Sequence, residues 1–513
     1  MKWILDMVHH NPGEDPICTS FTNPKKLKDY GFNGQVFKHI NCAAKFSTLN
    51  KDIVPTGSAQ EIWTNKLIDS LHQQNYAAKA LGLAVFYHID LFVLPRRLVG
   101  IYYDSLCNRE GLISLEKPFT LEIHQLLFEE LVSEFPEIDG FIIRVGETYL
   151  YDTPYHVGNG PIRKAQYEGG SESDASEIIR YQNLIEFLRT ELCIKKDKWV
   201  IFRTWDCYPD KFHANLSYYL SVTNKIEPHE KLVFSIKHTA LDFWRRVQFN
   251  PCIAQGQHAQ IIEVQCQREY EGKGAHPNYI MDGVIHGFPE CKQPKGLRDV
   301  WCDKRIMGVY TWSRGGGWFG PYIKNELWCD LHAYIIAQFA NTPQQGDAEI
   351  FERYTIQILK LPRIDVPILY NLCKLSAKAV LHGRYCEAYD ISLSEQITPT
   401  NLWMRDDRLG GMEQLEPVFF YLEQHNLTEE ALQEKYKCVQ EWSQVCALAE
   451  NLTDSNIKPY IIESAKYGLM LYSIVAASWR ILLLSRQSLQ SSCLVKALHD
   501  YDKAWEIYRR FYK

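Results

Sequence analysis

The chain has 513 residues, 46% of them hydrophobic and 23% charged, with a formal net charge of −6. That length suits two or three domains, or one barrel with an appendage, and the composition is that of an ordinary globular protein. The acidic balance leaves no basic footprint for nucleic acid or an anionic membrane. No run of about 18 consecutive apolar residues is present to span a bilayer.

The N-terminal segment MKWILDMVHHNPGED carries an apolar run too short for the hydrophobic region of a signal peptide and reads as a first strand over 3–8. A second strand lies within GFNGQVFKHI (31–40). The amphipathic stretch 59–80 precedes a third, LGLAVFYHIDLF (81–92). The helical pattern 120–135 precedes a fourth, GFIIRVGE (140–147), and 176–192 precedes a fifth, KWVIFRTW (198–205). KLVFSIKHT (231–239), QIIEVQCQRE (260–269) and RIMGVYTWSR (305–314) follow as sixth, seventh and eighth, before a helical stretch at 322–341. Near-continuous apolar strands fit a parallel sheet covered by helices, and eight of them point to a (β/α)₈ TIM barrel over 1–344. A doubly wound open sheet is the alternative, but no GxGxxG or GxxxxGK[ST] follows a strand. NTPQQGD (341–347) reads as a linker. Beyond it, 345–513 reads as an all-helical C-terminal domain with helices at 348–360, 366–382, 412–424, 428–450, 457–486 and 490–511. The most apolar of these, 463–486, carries Lys466, Arg480 and Arg486 and reads as a buried core helix.

Fifteen cysteines are scattered without CxxC pairs or regular spacing, which suggests neither a zinc site nor a disulfide framework. Cys193, Cys329 and Cys446 read as small buried hydrophobes. A reducing, cytoplasmic setting is expected, or a periplasmic one for a chain whose signal peptide has been removed.

Three carboxylates fall where a predicted strand ends: Glu147, Asp242 and Glu269. Carboxylates at the C-terminal ends of separate barrel strands are what a TIM-barrel glycosidase uses to protonate a leaving oxygen and activate water. Each also has a plain reading: Glu147 as a solvated loop residue, Asp242 as the N-cap of a helix over FWRRVQF, Glu269 on an exposed edge strand. Tyr149, Tyr151 and Tyr155 would partly desolvate Glu147 and suit it to be an acid. On the seventh strand Glu263, Gln265, Gln267 and Glu269 alternate with apolar residues, so a polar set faces one side. Arg144 and Arg203, within barrel strands, need anionic partners: a sugar carboxylate, or Glu147, Asp206 or Glu263. Trp205 and Trp312 are candidate sugar-stacking faces, although aromatics more often fill cores.

The segments GFIIRVGE, VIFR, VFSIKHTALDF and IEVQCQREYEG, in that order, resemble four motifs of the family 67 α-glucuronidases. The likeness covers roughly 139–345. It implies an inverting, exo-acting glycoside hydrolase that removes α-linked uronic acid from plant or algal oligosaccharides. Glu147 would be the general acid, and Asp242 and Glu269 would activate water from the opposite face, about 6.5–9.5 Å away. Arg144, Arg203, Lys237 and Glu263, with Trp205 and Trp312, would bind substrate. The reaction requires no metal or organic cofactor. The implied partner is an oligosaccharide, and the family's helical C-terminal domain commonly supports a homodimer. The sequence departs from the family in three ways: the family's N-terminal β-rich domain has no counterpart, Arg144 replaces a lysine, and TYLYDTPYH follows the acid. Competing readings are an exo-glycosidase on another α-linked sugar, a sugar-acid isomerase or lyase with Lys237 or His238 as base and often a divalent metal, and a carbohydrate-binding protein with decayed catalysis.

Overall fold

Each of the eight apolar segments forms a strand in the computed structural model: β1 (Trp3–His9), β2 (Gly34–Lys38), β3 (Ala84–Asp90), β4 (Gly140–Arg144), β5 (Trp199–Arg203), β6 (Leu232–Lys237), β7 (Ala259–Gln265) and β8 (Ile306–Gly315). The structure describes residues 2–9, 18–146, 148, 153–159, 174–206, 210–316, 325–392, 404–405, 408–409, 415–486 and 491–511. The strands close into a barrel in sequence order, with β8 lying between β7 and β1. Neighbouring strands from β1 through β7 pair in parallel. The chain is therefore a (β/α)₈ barrel followed by a helical region.

The strands form as they do because they are almost wholly buried and rich in Val, Ile and Phe, which suits a sheet covered on both faces. Helices α1 (Ala59–Ala80), α2 (Pro118–Glu134), α3 (Asp174–Leu188) and α4 (Leu216–Thr223) follow β2, β3, β4 and β5. The start of α1 is fixed by its N-cap: Ser58 Oγ accepts from the Glu61 N–H, and the Glu61 carboxylate reaches back to accept from the Gly57 N–H. Between β6 and β7 the described chain runs through turns without a helix.

The N-terminal end of the barrel is plugged by Trp3, which meets Phe86 and Trp199 edge-on with ring centroids 5.3 and 5.4 Å apart. Closure between β8 and β1 needs a glycine. Gly308 has a φ of 136°, and a Cβ there would sit 1.8 Å from the Trp3 carbonyl oxygen. On the other face of β1, the buried Asp6 accepts hydrogen bonds from the Thr311 hydroxyl and from the N–H and hydroxyl of Ser313. These bonds tie β1 to β8.

The chain divides into two compact units. The first comprises Met1–Asp242, Phe249–Val264 and Arg298–Arg314; the second comprises Phe243–Gln248, Gln265–Leu297 and Gly315–Lys513. The 344/345 junction thus lies inside the second unit. That unit contains α5 (Leu327–Asn341), α6 (Asp365–Arg384), α7 (Thr428–Glu450), α8 (Lys458–Arg486) and α9 (Ser491–Phe511). Successive helices from α6 to α9 pack on one another. Trp442 of α7 stacks on Tyr472 of α8 at 5.5 Å, and His382 of α6 pairs with Glu441 of α7 at 2.6 Å. By length and composition alone α8 could cross a membrane, and half of its most apolar window is buried in the folded chain.

Candidate active site

At the C-terminal ends of the strands the inward-facing positions change from apolar to polar. On β3 the alternation runs Phe86, His88, Asp90. On β4, Ile142 gives way to Arg144, and on β5, Ile201 gives way to Arg203. On β6 the series is Val233, Ser235, Lys237; on β7, Ile261 is followed by Glu263. Register places Asp90 beside Arg144, Arg203 beside Ser235, and Lys237 beside Glu263. On the flanking strands, His9 of β1 and Trp312 of β8 stack at 4.4 Å with 17° between their planes.

Three of the cations at these strand ends are matched by carboxylates. Arg203 binds Glu263 through two parallel bonds, Nε to Oε1 at 2.7 Å and Nη2 to Oε2 at 2.8 Å, and Ser235 adds a hydroxyl donor at 2.8 Å. Burial alone would raise the Glu263 pKa, but Arg203, Lys237 and Ser235 outweigh it and hold the carboxyl below its usual range. Arg144 clamps Asp90 in the same bidentate way, with Nη2 2.7 Å from Oδ2 and Nε on Oδ1. Lys237 Nζ donates to Asp242 Oδ1 at 2.6 Å. Glu263 is fully buried, whereas Asp90 and Asp242 keep 14% and 16% of their side-chain surface and so can reach a ligand.

The aromatic rings face these cations. Lys237 Nζ lies 3.5 Å from the centroid of Trp205, and the Arg203 guanidinium lies 5.1 Å from that of Trp312. His88 Nε2 sits 3.4 Å from Arg203 Nη1. A guanidinium only donates, so Nε2 accepts and the ring is neutral, with its proton on Nδ1. Burial first, and then Lys38, Arg144 and Arg203, hold both His9 and His88 well below the ordinary histidine range.

The structure brings together Arg203, Lys237, Asp242, Glu263, Trp205 and Trp312, with Arg144 joined through Asp90 beside them. It corrects several expectations. Of the protein partners expected for the arginines, Arg203 takes Glu263, whereas Arg144 takes Asp90, and Lys237 pairs with Asp242. Asp242 caps no helix, since the residues after it form turns. Glu269 does not end β7. That strand stops at Gln265, and Arg268 takes a left-handed conformation (φ 58°). Gln267 and Glu269 therefore lie beyond the pleat, and the polar alternation on the strand itself is Glu263 and Gln265. Within the second unit, the Glu269 N–H donates to Gln265 Oε1 at 2.8 Å, and the Gln267 side chain accepts from the Gly315 N–H. Gly316 (φ 93°) comes so close that a Cβ there would lie 2.5 Å from Glu269 Oε2. Glu147, Tyr149 and Tyr151 lie outside the described residues.

Asp90, His88 and His9 belong to the cluster although strand-end reasoning passed over them. The signal was present in FYHID (86–90), where the alternation Phe86, His88, Asp90 mirrors that of β7. Among the described residues, no group of three or more His, Cys, Asp or Glu side chains is placed to hold a metal ion.

No family model and no curated protein matches the sequence. Among solved structures, the fold is similar to that of a GH138 enzyme targeting pectin rhamnogalacturonan II, with a TM-score of 0.59 at 9% identity over 96% of this chain. This chain spans 57% of that enzyme's length. An O-GlcNAc hydrolase mutant from Thermobaculum terrenum aligns over 99% of this chain and 88% of its own, with a TM-score of 0.43 and 10% identity. At these identities the likeness is one of fold.

Proposed function

We propose that the chain is a glycoside hydrolase, inverting and exo-acting, that releases an α-linked uronic acid in the manner of the α-glucuronidases. The observation that carries this reading is the Asp242–Lys237 pair set against Trp205 at the C-terminal end of β6, where barrel enzymes place their chemistry. Asp242, partly exposed, is the water-activating carboxylate. Glu147 protonates the departing glycosidic oxygen. Lys237, paired with Asp242 and set over Trp205, is the cation that would meet a uronate oxygen. Arg203 and Glu263 act beneath as a rigid floor.

A second reading is favoured by one specific observation. Arg144, Arg203 and Lys237 are each charge-compensated, so a bound uronate must compete with Asp90, Glu263 or Asp242 for its cation. A site balanced in this way suits an exo-glycosidase acting on a neutral α-linked sugar.

A turnover screen of α-uronosyl against neutral α-linked oligosaccharides separates the two readings. Glu147→Gln should bind substrate normally but lose about 10²–10⁴-fold in kcat on natural glycosides, and much less on substrates with fluoride or aryl leaving groups. Full activity of this variant on a natural glycoside would remove Glu147 as the acid. Proton NMR of the first-formed anomer should show inverted configuration; retained configuration rules out attack by water from the opposite face.

A further inference from the structure

His9 is the last residue of β1 and closes the ring of polar strand ends around the barrel. Its side chain is 97% buried, since its relative exposure is 3%. Nδ1 has no hydrogen-bond partner among the described residues. The ring is held against Trp312, the indole that also faces Arg203 and Lys237. A buried polar atom without a partner asks for an explanation, and a group bound at this end of the barrel also accounts for the ring's place beside Trp312.

The chemistry of that group follows from the surroundings. His9 is a neutral imidazole, with one N–H and one lone pair. The positive charges of Lys38, Arg144, Arg203 and Lys237 act on it and disfavour a second cation there. A carboxylate could meet only the tautomer that carries a proton on Nδ1. A hydroxyl both donates and accepts, so it satisfies either tautomer. We infer that His9 is a specificity-determining residue whose Nδ1 takes one hydroxyl of the sugar seated at this end of the barrel beside Trp312. The inference rests on the glycosidase reading above and adds to it a particular contact on β1.

The test uses the full chain and a series of substrates, each lacking one hydroxyl of the terminal sugar. In the wild type, one member of the series should lose about ten- to hundredfold in kcat/KM. His9→Asn places a polar atom near the position of Nδ1 and should keep most of that discrimination. His9→Gln reaches toward the Nε2 position, and His9→Phe keeps only the stack on Trp312. In both, the ratio of kcat/KM on the natural substrate to that on the deoxy substrate should fall to near one. If His9→Phe does not fold, the contrast between Asn and Gln decides. A discrimination pattern unchanged in His9→Gln overturns the inference, as does a wild-type sugar complex in which Nδ1 bonds only to water. So does an equal loss across the whole series, which would mark a structural role. In either case the hydrolase reading stands. A wild type that turns over no glycoside defeats that reading, and this inference with it.

Discussion

Replacing Glu263 with alanine removes the acceptor for three buried hydrogen bonds at 2.7, 2.8 and 2.8 Å and takes the bidentate partner from an arginine that is 1% exposed. Deleting one side of a buried ion pair costs about 3–5 kcal/mol, because the remaining charge stays desolvated. Replacing both partners with apolar residues of similar volume is often close to neutral. Arg203→Met/Glu263→Leu should therefore be far more stable than Glu263→Ala. Hydrogen exchange of the β5 and β7 amides reads this directly. A loss of 3 kcal/mol opens these strands about a hundredfold more often, and the double variant should return most of that protection. Because Arg203 holds the Glu263 carboxyl below its ordinary range, the contribution is present at neutral pH. It is lost as pH falls through the folded-state pKa. Exchange less than tenfold faster in Glu263→Ala, or a double variant as labile as the single, would refute the claim that this pair is a buried structural floor.

Burial pushes the Asp6 carboxyl up to about 6 from 3.8, against hydrogen bonds from Thr311 and Ser313. A raised folded-state value means that its contribution to stability is full below pH 3.8 and is lost as pH rises through 6, by about 3 kcal/mol. Asp6→Asn should flatten that fall in urea-midpoint profiles between pH 4 and 7, and parallel profiles would contradict the assignment. Lys237→Met separates the two substrate readings. If Lys237 binds a uronate oxygen, kcat/KM should drop at least about tenfold more on α-uronosyl than on neutral substrates. Equal losses on both would favour the neutral sugar.

The barrel was legible because its strands are short apolar runs, buried on both faces, whose spacing by helical patterns leaves few alternatives. The C-terminal helices were legible for a similar reason, and α7 spans the expected 428–450. The site was only partly legible. Arg203 and Glu263 are 60 residues apart, and Asp90 and Arg144 are 54 apart. Nothing local says which carboxylate a strand-end cation will meet. The alternation read along β7 ran past the point where the backbone leaves the sheet, since a left-handed turn at Arg268 leaves no mark in hydrophobic periodicity. His9 and His88 sat in plain alternating patterns, but a histidine at a strand end looks the same whether it fills a core or lines a site.

The most direct test of the account is hydrolysis of an α-uronosyl oligosaccharide, with the released sugar followed by NMR, for the wild type beside Asp242→Asn. The account predicts turnover by the wild type, with the inverted anomer formed first. For Asp242→Asn it predicts a folded protein whose kcat is lower by at least about 10²-fold. It is contradicted if the wild type cleaves no glycoside, or if Asp242→Asn cleaves at the wild-type rate.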